Sequence, residues 1–409
     1  MKRRFSMLTA ILLIAAMTFS ACGKKSGSNA ATPTAEPTEE VTPTPTEEPT
    51  PSPTPDLKAE WADKHLKDRY EGTFKVGVAL ARTTFLKAEQ MDVVKQEFNS
   101  FTFGNEMKPD SLLDRAATVA GYPDTNTEPV LAFGAIKNGM EFAVANGFSV
   151  RGHTLCWYSQ TPKWFFTEDY GDNSPLCSRE VMLKRLESYI RQVMEYCQTN
   201  YPGVIYAWDV VNEGIDKGTG DEHAIRKTNN LWYETIGPDF IQYAFEYARK
   251  YSDGTADLYY NDYNCYEKTK EILDALAPIQ AAGNIDGIGM QCHLSSGQNV
   301  QNDVYKVAKK FSAAGYKIQI TELDIEQSNT EYADTMQSIK YKLVFQYMEQ
   351  AKQSGEINID SITVWGLTDG DSWKSGDKPV LFKLAVGGLE RKPAWYGAMQ
   401  DPSINAFEW

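Results

Sequence analysis

A closed (β/α)8 barrel of the TIM type is the architecture this sequence predicts, and three observations lead there. From Gly72 onward, short β-branched or apolar runs alternate with longer amphipathic ones, the pattern of repeated βα units around a parallel sheet. Eight such runs occur between residues 74 and 365. Residues 56–409 leave room for eight units with some long loops, whereas a doubly wound sheet would show fewer strands or a second domain break.

The chain opens on an address. Lys2-Arg3-Arg4 precede an apolar run from Met7 to Phe19, the charged start and short greasy middle of a secretory signal over residues 1–21. The run is too short and wrongly flanked for a spanning helix. It closes on Phe19-Ser20-Ala21-Cys22-Gly23, which resembles a bacterial lipoprotein cleavage box with Phe19 in place of the usual Leu. Cys22 is then the expected lipidated first residue of a membrane-anchored, cell-surface protein; an ordinary signal peptide cut near the same place is the alternative. Residues 22–55 form the expected linker. Between Ala31 and Pro55 there are eight Pro and eight Thr and almost no apolar side chain, so the segment cannot bury enough surface to offset its ordering entropy. Pro-Thr repeats favour extended stretches of about 3 Å per residue, a stalk that reaches roughly 100 Å.

In the head, residues 56–409, the strand candidates are 74–80, 100–103, 149–155, 205–211, 257–260, 287–291, 317–321 and 361–365. Helix-period segments lie between them, clearest at 178–200, 239–252, 267–281, 301–314 and 331–354, several ended by Gly or by Tyr-Pro-Gly. No Gly-x-Gly-x-x-Gly follows the first strand, which argues against a dinucleotide site.

Composition narrows the partners. The net charge is −14, and loss of Lys2, Arg3 and Arg4 with the signal makes it three units more negative, which repels phosphate backbones and anionic lipid alike. Nucleic acid is therefore not an expected partner. Six Cys, at 22, 156, 177, 197, 265 and 292, show no disulfide framework, and Cys156 and Cys292 read as small buried hydrophobes. With no Cys-x-x-Cys, no His-Glu-x-x-His, only four His and no EF-hand spacing, neither a metal nor an organic cofactor is expected.

In a barrel, function collects where strands end. Just past the candidate strand ends stand Asn105 and Lys108, His153 to Gln160, Asn212 and Glu213, Asn261 and Tyr263, Gln291 and His293, Glu322 and Asp324, and Trp365 to Trp373. Glu213 ends Tyr206-Ala-Trp-Asp-Val-Val-Asn-Glu213, and Glu322 ends Ile318-Gln-Ile-Thr-Glu322, so both carboxylates emerge from buried strands on one rim, three strands apart. A pair of Glu facing across a pocket is the equipment for glycoside hydrolysis, one protonated to donate to a leaving oxygen and one ionised to attack C1. Asn212, Gln291, His293 and Asp324 supply a hydrogen-bonding shell for such a pair. Trp157, Trp164, Trp365 and Trp373, in or beside rim loops, offer flat rings for the apolar faces of sugars, while Trp208 and Trp232 are assigned to packing.

The runs NEMKPD, RGHTLCW, WDVVNE, NDYN, GIGMQCH, ITELDI, VWGLTDGDSW and KPAW, in this order from about residue 72 to 400, resemble the retaining endo-β-1,4-xylanases of glycoside hydrolase family 10. The resemblance implies a (β/α)8 barrel that hydrolyses xylan and xylo-oligosaccharides, with Glu213 as acid/base and Glu322 as nucleophile. It implies that Asn212, Gln291 and His293 surround the cleaved sugar, with Asp324 orienting His293. Asn105, Lys108, His153, Trp157, Gln160, Trp365 and Trp373 would line the non-reducing side, and Asn261 and Tyr263 the leaving-group side. Two departures stand out: Gly104, where many members have a Glu, and Tyr158, where a His commonly follows the Trp. Both bear on subsite affinity and leave the two carboxylates untouched. The expected protein is thus a monomeric, surface-anchored endo-1,4-β-xylanase. The rival readings are a sugar-capturing surface lipoprotein and a related retaining cellulase or mannanase.

Overall fold

Eight parallel strands pair edge to edge and close on themselves. They are β1 (Lys75–Leu80), β2 (Ser100–Phe103), β3 (Ser149–Trp157), β4 (Ile205–Asn212), β5 (Asp257–Asp262), β6 (Gly287–Met290), β7 (Lys317–Ile325) and β8 (Ile359–Val364). Each pairs with the next, and β8 returns to β1 with Ser361 opposite Lys75 and Val364 opposite Val78. The computed structural model describes residues 57–405; the expected signal, Cys22 and linker lie outside them. Among the described residues the barrel lies in one compact unit that begins at Lys58.

The expected alternation of strand and helix is present. Besides shorter helical segments, the helices between and after the strands are α1 (Ala88–Glu97), α2 (Lys137–Asn146), α3 (Arg179–Asn200), α4 (Phe240–Tyr251), α5 (Thr269–Ala281), α6 (Lys306–Ala313), α7 (Ala333–Gln353) and α8 (Pro393–Ala398). In α3, Met182, Leu186, Tyr189, Ile190, Val193 and Cys197 recur at three- and four-residue steps and are buried, and the Ser178 side chain caps the helix by accepting from Val181 N–H. α2 ends on Gly147 at φ 69, a left-handed position that glycine adopts without strain. Among the described residues no helix is long and apolar enough to cross a membrane.

The two faces of the strands differ in chemistry because side chains alternate. Val76, Val78, Phe101, Phe103 and Trp208 pack in the apolar core. Gly152 makes room for Trp208: a Cβ there would meet the indole at 2.2 Å. The alternate positions carry Ser100, Thr102, Arg151, His153, Asp209, Asn261, Gln319, Thr321, Ser361 and Thr363, all buried. Arg151 anchors this polar set, giving Nε to Gln319 Oε1 (2.7 Å) and pairing with Asp209, whose other oxygen meets His153 Nδ1 at 2.8 Å. Those polar residues rise toward the C-terminal rim.

On the opposite face the two ends of the barrel chain are clasped. Buried Glu97 accepts from Leu66 N–H, Arg391 Nη2 and Trp395 Nε1 at 3.1, 2.6 and 2.9 Å. Arg391, on the antiparallel hairpin of β9 (Phe382–Ala385) and β10 (Gly388–Arg391), also donates to Trp61 O, and Tyr70 OH donates to Ala398 O in α8.

Candidate functional site

The rim side chains are aimed by irregularities in the ladders. Between β7 and β8 the register shifts from Ile320 opposite Ile362 to Leu323 opposite Val364, so one extra residue is inserted at Thr321–Glu322. Similar shifts occur between His153 and Cys156 against β4, and between Asp209 and Val211 against β5. Such bulges bend a strand and re-aim a side chain, and all three lie at the C-terminal ends. Glu213, one residue past β4, sits at φ 57 with its N–H bonded to Asn261 O at 2.9 Å. Cys292, at φ 59, turns the chain so that a two-residue strand, His293–Leu294, pairs with Asp324 and Ile325. This pairing is why β7 runs four residues beyond the 317–321 expected from sequence.

These ends enclose a cleft of about 810 Å³. Its lining includes Glu213, Glu322, Asn105, Lys108, His153, Trp157, Gln160, Asn212, Tyr263, Gln291, His293, Trp365 and Trp373. Two residues placed at the site from sequence stand behind this wall. Asp324 is fully buried, and its Oδ2 meets His293 Nδ1 (2.8 Å) and accepts from Trp373 Nε1 (2.9 Å). Asn261 corrects the expectation that it faces the leaving group. It lies fully buried beneath the carboxylates, because Thr321 Oγ1 holds its carbonyl at 2.6 Å and turns its amide toward Glu322 Oε1 (2.7 Å) and Asn212 Oδ1 (2.9 Å). Trp164 is a second correction. It is not a cleft platform but packs in the apolar core beside Tyr170 and Phe165, where a short helical turn, Lys163–Phe166, folds it inward. Trp208 and Trp232 are buried in the core, as expected.

The two glutamates have unequal surroundings. Burial raises the Glu213 carboxyl above its ordinary range, opposed by the Gln291 amide at 3.0 Å and reinforced by the charges of Asp262 and Glu322. Burial would raise Glu322 as well. There it is outweighed by the His293 hydrogen bond (Nε2 to Oε2, 3.3 Å), the charges of His153 and His293, and the Asn261 amide, which hold the carboxyl at about 2. Burial lowers the His293 imidazole, but Asp324 and Glu322 overcome it and raise it to about 9. At neutral pH the cleft therefore holds one firmly ionised carboxylate and one whose proton is retained to higher pH, the division of labour that acid-assisted glycosidic cleavage needs.

Farther along the cleft, Lys108 Nζ bridges Asn105 Oδ1 (3.0 Å) and Gln160 Oε1 (2.8 Å), a polar triangle shaped to meet sugar hydroxyls, with the Lys108 ammonium 4.8 Å from the Trp157 ring. Trp373 is 64% exposed and presents its ring to the cleft while its N–H is held below. A model of glycosyl hydrolase family 10 matches residues 65–401. The chain belongs to that family. It is 41% identical over 354 residues to endo-1,4-beta-xylanase B of Butyrivibrio fibrisolvens, covering 83% of this chain and 54% of that protein. To endo-1,4-beta-xylanase A of Thermotoga maritima it is 37% identical over 329 residues, covering 78% and 29%. The chain thus spans about half, or less, of the length of these relatives. Among solved structures it is similar to the N-terminal endo-1,4-beta-D-xylanase 10B modules of Clostridium thermocellum in complex with xylohexaose (TM-score 0.75, 35% identity, covering 84% of this chain and 68% of that one). It also resembles an intracellular xylanase of Thermoanaerobacterium saccharolyticum (TM-score 0.70, 31% identity, covering 81% and 97%).

Three features of this family 10 cleft went unread in the sequence. Glu326 and Lys374 both line it and pair at 2.8 Å, with the Lys374 ammonium 4.9 Å from the Trp373 ring. Adjacency of Lys374 to Trp373 was the available signal. The Arg151–Asp209–His153 chain, buried in the barrel, left only charged residues in apolar strands as its trace. Arg226, in the long loop after β4, has no periodic pattern to mark it. Among the described residues no group of three or more His, Cys, Asp or Glu is arranged to hold a metal ion.

Proposed function

We propose that this protein is an endo-1,4-β-xylanase that hydrolyses xylan and xylo-oligosaccharides with retention of anomeric configuration. The observation that carries the reading is the pairing of Glu322, held ionised at about 2, with Glu213, whose carboxyl is raised, across one cleft. A Glu322 oxygen attacks C1 while the Glu213 proton passes to the departing glycosidic oxygen, leaving a glycosyl ester on Glu322. Glu213, now a carboxylate, takes a proton from water, whose oxygen displaces Glu322 from C1. Two inversions return the starting configuration. The step uses neither metal nor organic cofactor. His293 and Asn261 each hold one Glu322 oxygen and so fix the direction of attack. Xylanase activity in family relatives supports xylan as the substrate.

Release of reducing ends from xylan, compared with carboxymethyl-cellulose and mannan, tests the reading. Xylan should be preferred by roughly one to two orders of magnitude, since excluding a hydroxymethyl group is worth about 1–3 kcal/mol per site. Equal turnover of all three would sink the substrate assignment. Binding without turnover would favour the sugar-capturing alternative.

We further propose that the head acts outside the cell, released from its signal after residue 21 and anchored through lipid on Cys22. The cleavage-box-like run Phe19 to Cys22 and the Thr/Pro/Glu-rich 22–55 segment support this. Acyl chains would supply essentially all membrane affinity in so acidic a chain, so Cys22→Ala should move the protein from the membrane fraction to the medium. Unchanged membrane association in that variant would defeat the anchor.

A further inference from the structure

The acid/base candidate sits on backbone that a glutamate does not favour. Glu213 lies in the left-handed region, where a non-glycine residue persists only when its surroundings hold it. Its N–H is held by Asn261 O, and one side chain holds its carbonyl. The Arg226 guanidinium, buried in the loop that follows β4, donates from Nε to the Glu213 carbonyl at 2.7 Å. Its Nη1 pairs with Asp216 at 2.9 Å and its Nη2 donates to the Tyr263 hydroxyl at 3.0 Å. Its Cζ lies 4.2 Å from the centre of the Tyr158 ring. The backbone around it is fixed too, with Arg226 N–H bonded to Gly214 O at 2.8 Å and Asn230 Nδ2 bonded to Arg226 O at 2.9 Å.

Tyr158 and Tyr263 both line the cleft. One planar cation therefore ties the main chain of the carboxylic acid to two aromatic side chains of the cleft wall. A lysine, with a single charged point and no plane, cannot make the carbonyl, hydroxyl, carboxylate and ring contacts together. We infer that Arg226 is a positioning residue for proton transfer: it locks the Glu213 main chain so that the carboxyl reaches the leaving oxygen, and it sets the Tyr158 and Tyr263 walls against the leaving group. Arg226 acts through Glu213 and the two tyrosines.

This inference rests on the proposed glycosidase reading and makes a demand that mere structural support would not. Loss of Arg226 should weaken the step that needs a proton and spare the one that does not. Wild type, Arg226→Met and Arg226→Lys are compared on xylotetraose, whose leaving alcohol must be protonated, and on 2,4-dinitrophenyl xylobioside, whose phenolate leaves unaided. Active sites are counted by trapping with a 2-fluoro xylobioside, so every rate refers to folded enzyme. In Arg226→Met, kcat/KM on xylotetraose should fall about 100-fold, in the range general acid catalysis supplies. On the dinitrophenyl substrate kcat/KM should stay within about three-fold, with a burst of phenolate because deglycosylation also needs Glu213. Arg226→Lys should fall between, with the same inequality, and serves alone if the Met variant does not fold. Equal losses on both substrates, or no loss on xylotetraose, would overturn the inference. Failure of wild type itself to cleave xylotetraose would instead overturn the proposed function.

Discussion

Replacing Asp324 with Asn tests how the nucleophile candidate is kept ionised. Asn keeps an oxygen that can accept from His293 or Trp373 but removes the charge that holds the His293 imidazole at about 9. Burial is then opposed by Glu322 alone, so His293 gives up its proton at lower pH, which weakens both the charge and the hydrogen bond that Glu322 receives from it. Glu322 is held from 4.5 down to about 2, worth roughly 3 kcal/mol in favour of its ionised form at about 1.4 kcal/mol per unit. His153 and Asn261 remain, so only part is lost. An opposite charge in contact typically moves a carboxyl by about 1–3 units, and an upward shift of roughly one to two units is expected here. The rate of inactivation by a dinitrophenyl 2-fluoro xylobioside, followed against pH, reads the ionisation of the attacking carboxylate without needing the Glu213 proton. Its acid limb should move up by one to two units in Asp324→Asn. A limb that stays where wild type has it would refute the claim that Asp324, acting through His293, sets the charge of Glu322.

The same groups link stability to pH. His293 is raised above its unfolded value of about 6.5, so its contribution is whole below pH 6.5 and is lost as pH rises through about 9. Urea unfolding should show wild type ahead of Asp324→Asn by roughly 3 kcal/mol at pH 6 and by much less at pH 10, and a pH-independent difference would contradict it. Glu322→Ala should abolish turnover on every substrate, whereas Glu213→Ala should keep the first step on aryl xylobiosides and yield a β-azide with added azide; an α-azide from Glu213→Ala would reverse the roles. Arg151→Met leaves Asp209 as a buried carboxylate facing only His153, and should cost about 3–5 kcal/mol in unfolding free energy measured by denaturant titration. A loss under about 1 kcal/mol would show that the Arg151–Asp209 pair is not holding its charges buried.

What could be read from the sequence was whatever a local pattern encodes. Strands such as Val76–Leu80 and Ile205–Val211 declare themselves as apolar runs, and α3 by its spacing and its Ser178 cap. Polar residues at strand ends marked the rim, and ordered motifs marked Glu213 and Glu322. Long-range contact was not encoded locally. Asn261 reads as one more polar residue at a strand end, and only the closing of Thr321 onto it from β7 turns it beneath the carboxylates. Trp164 stands in a loop, two residues after Pro162, a setting that suggests exposure, but Tyr170 and Phe165 fold it into the core. Arg226 has no helix or strand to reveal its face, so its role is set by how the loop folds it onto Glu213, Asp216 and Tyr263.

The clasp built from Glu97, Arg391, Trp395 and the Trp61–Tyr70 segment has a mechanical consequence. Tension entering the barrel from the N-terminal side of residue 61 meets this clasp before it reaches β1. Its bonds lie between segments some 300 positions apart in sequence, so they resist as a parallel set and must rupture together. Shear from a moving polysaccharide would be borne by a charge-assisted lock on the face opposite the cleft, and the bulged strand ends that aim Glu213 and Glu322 would stay unloaded. Under force, the first structural failure would be the joint rupture of the bonds that hold residues 61–70 to the hairpin and α8, with the rim that carries Glu213 and Glu322 still assembled.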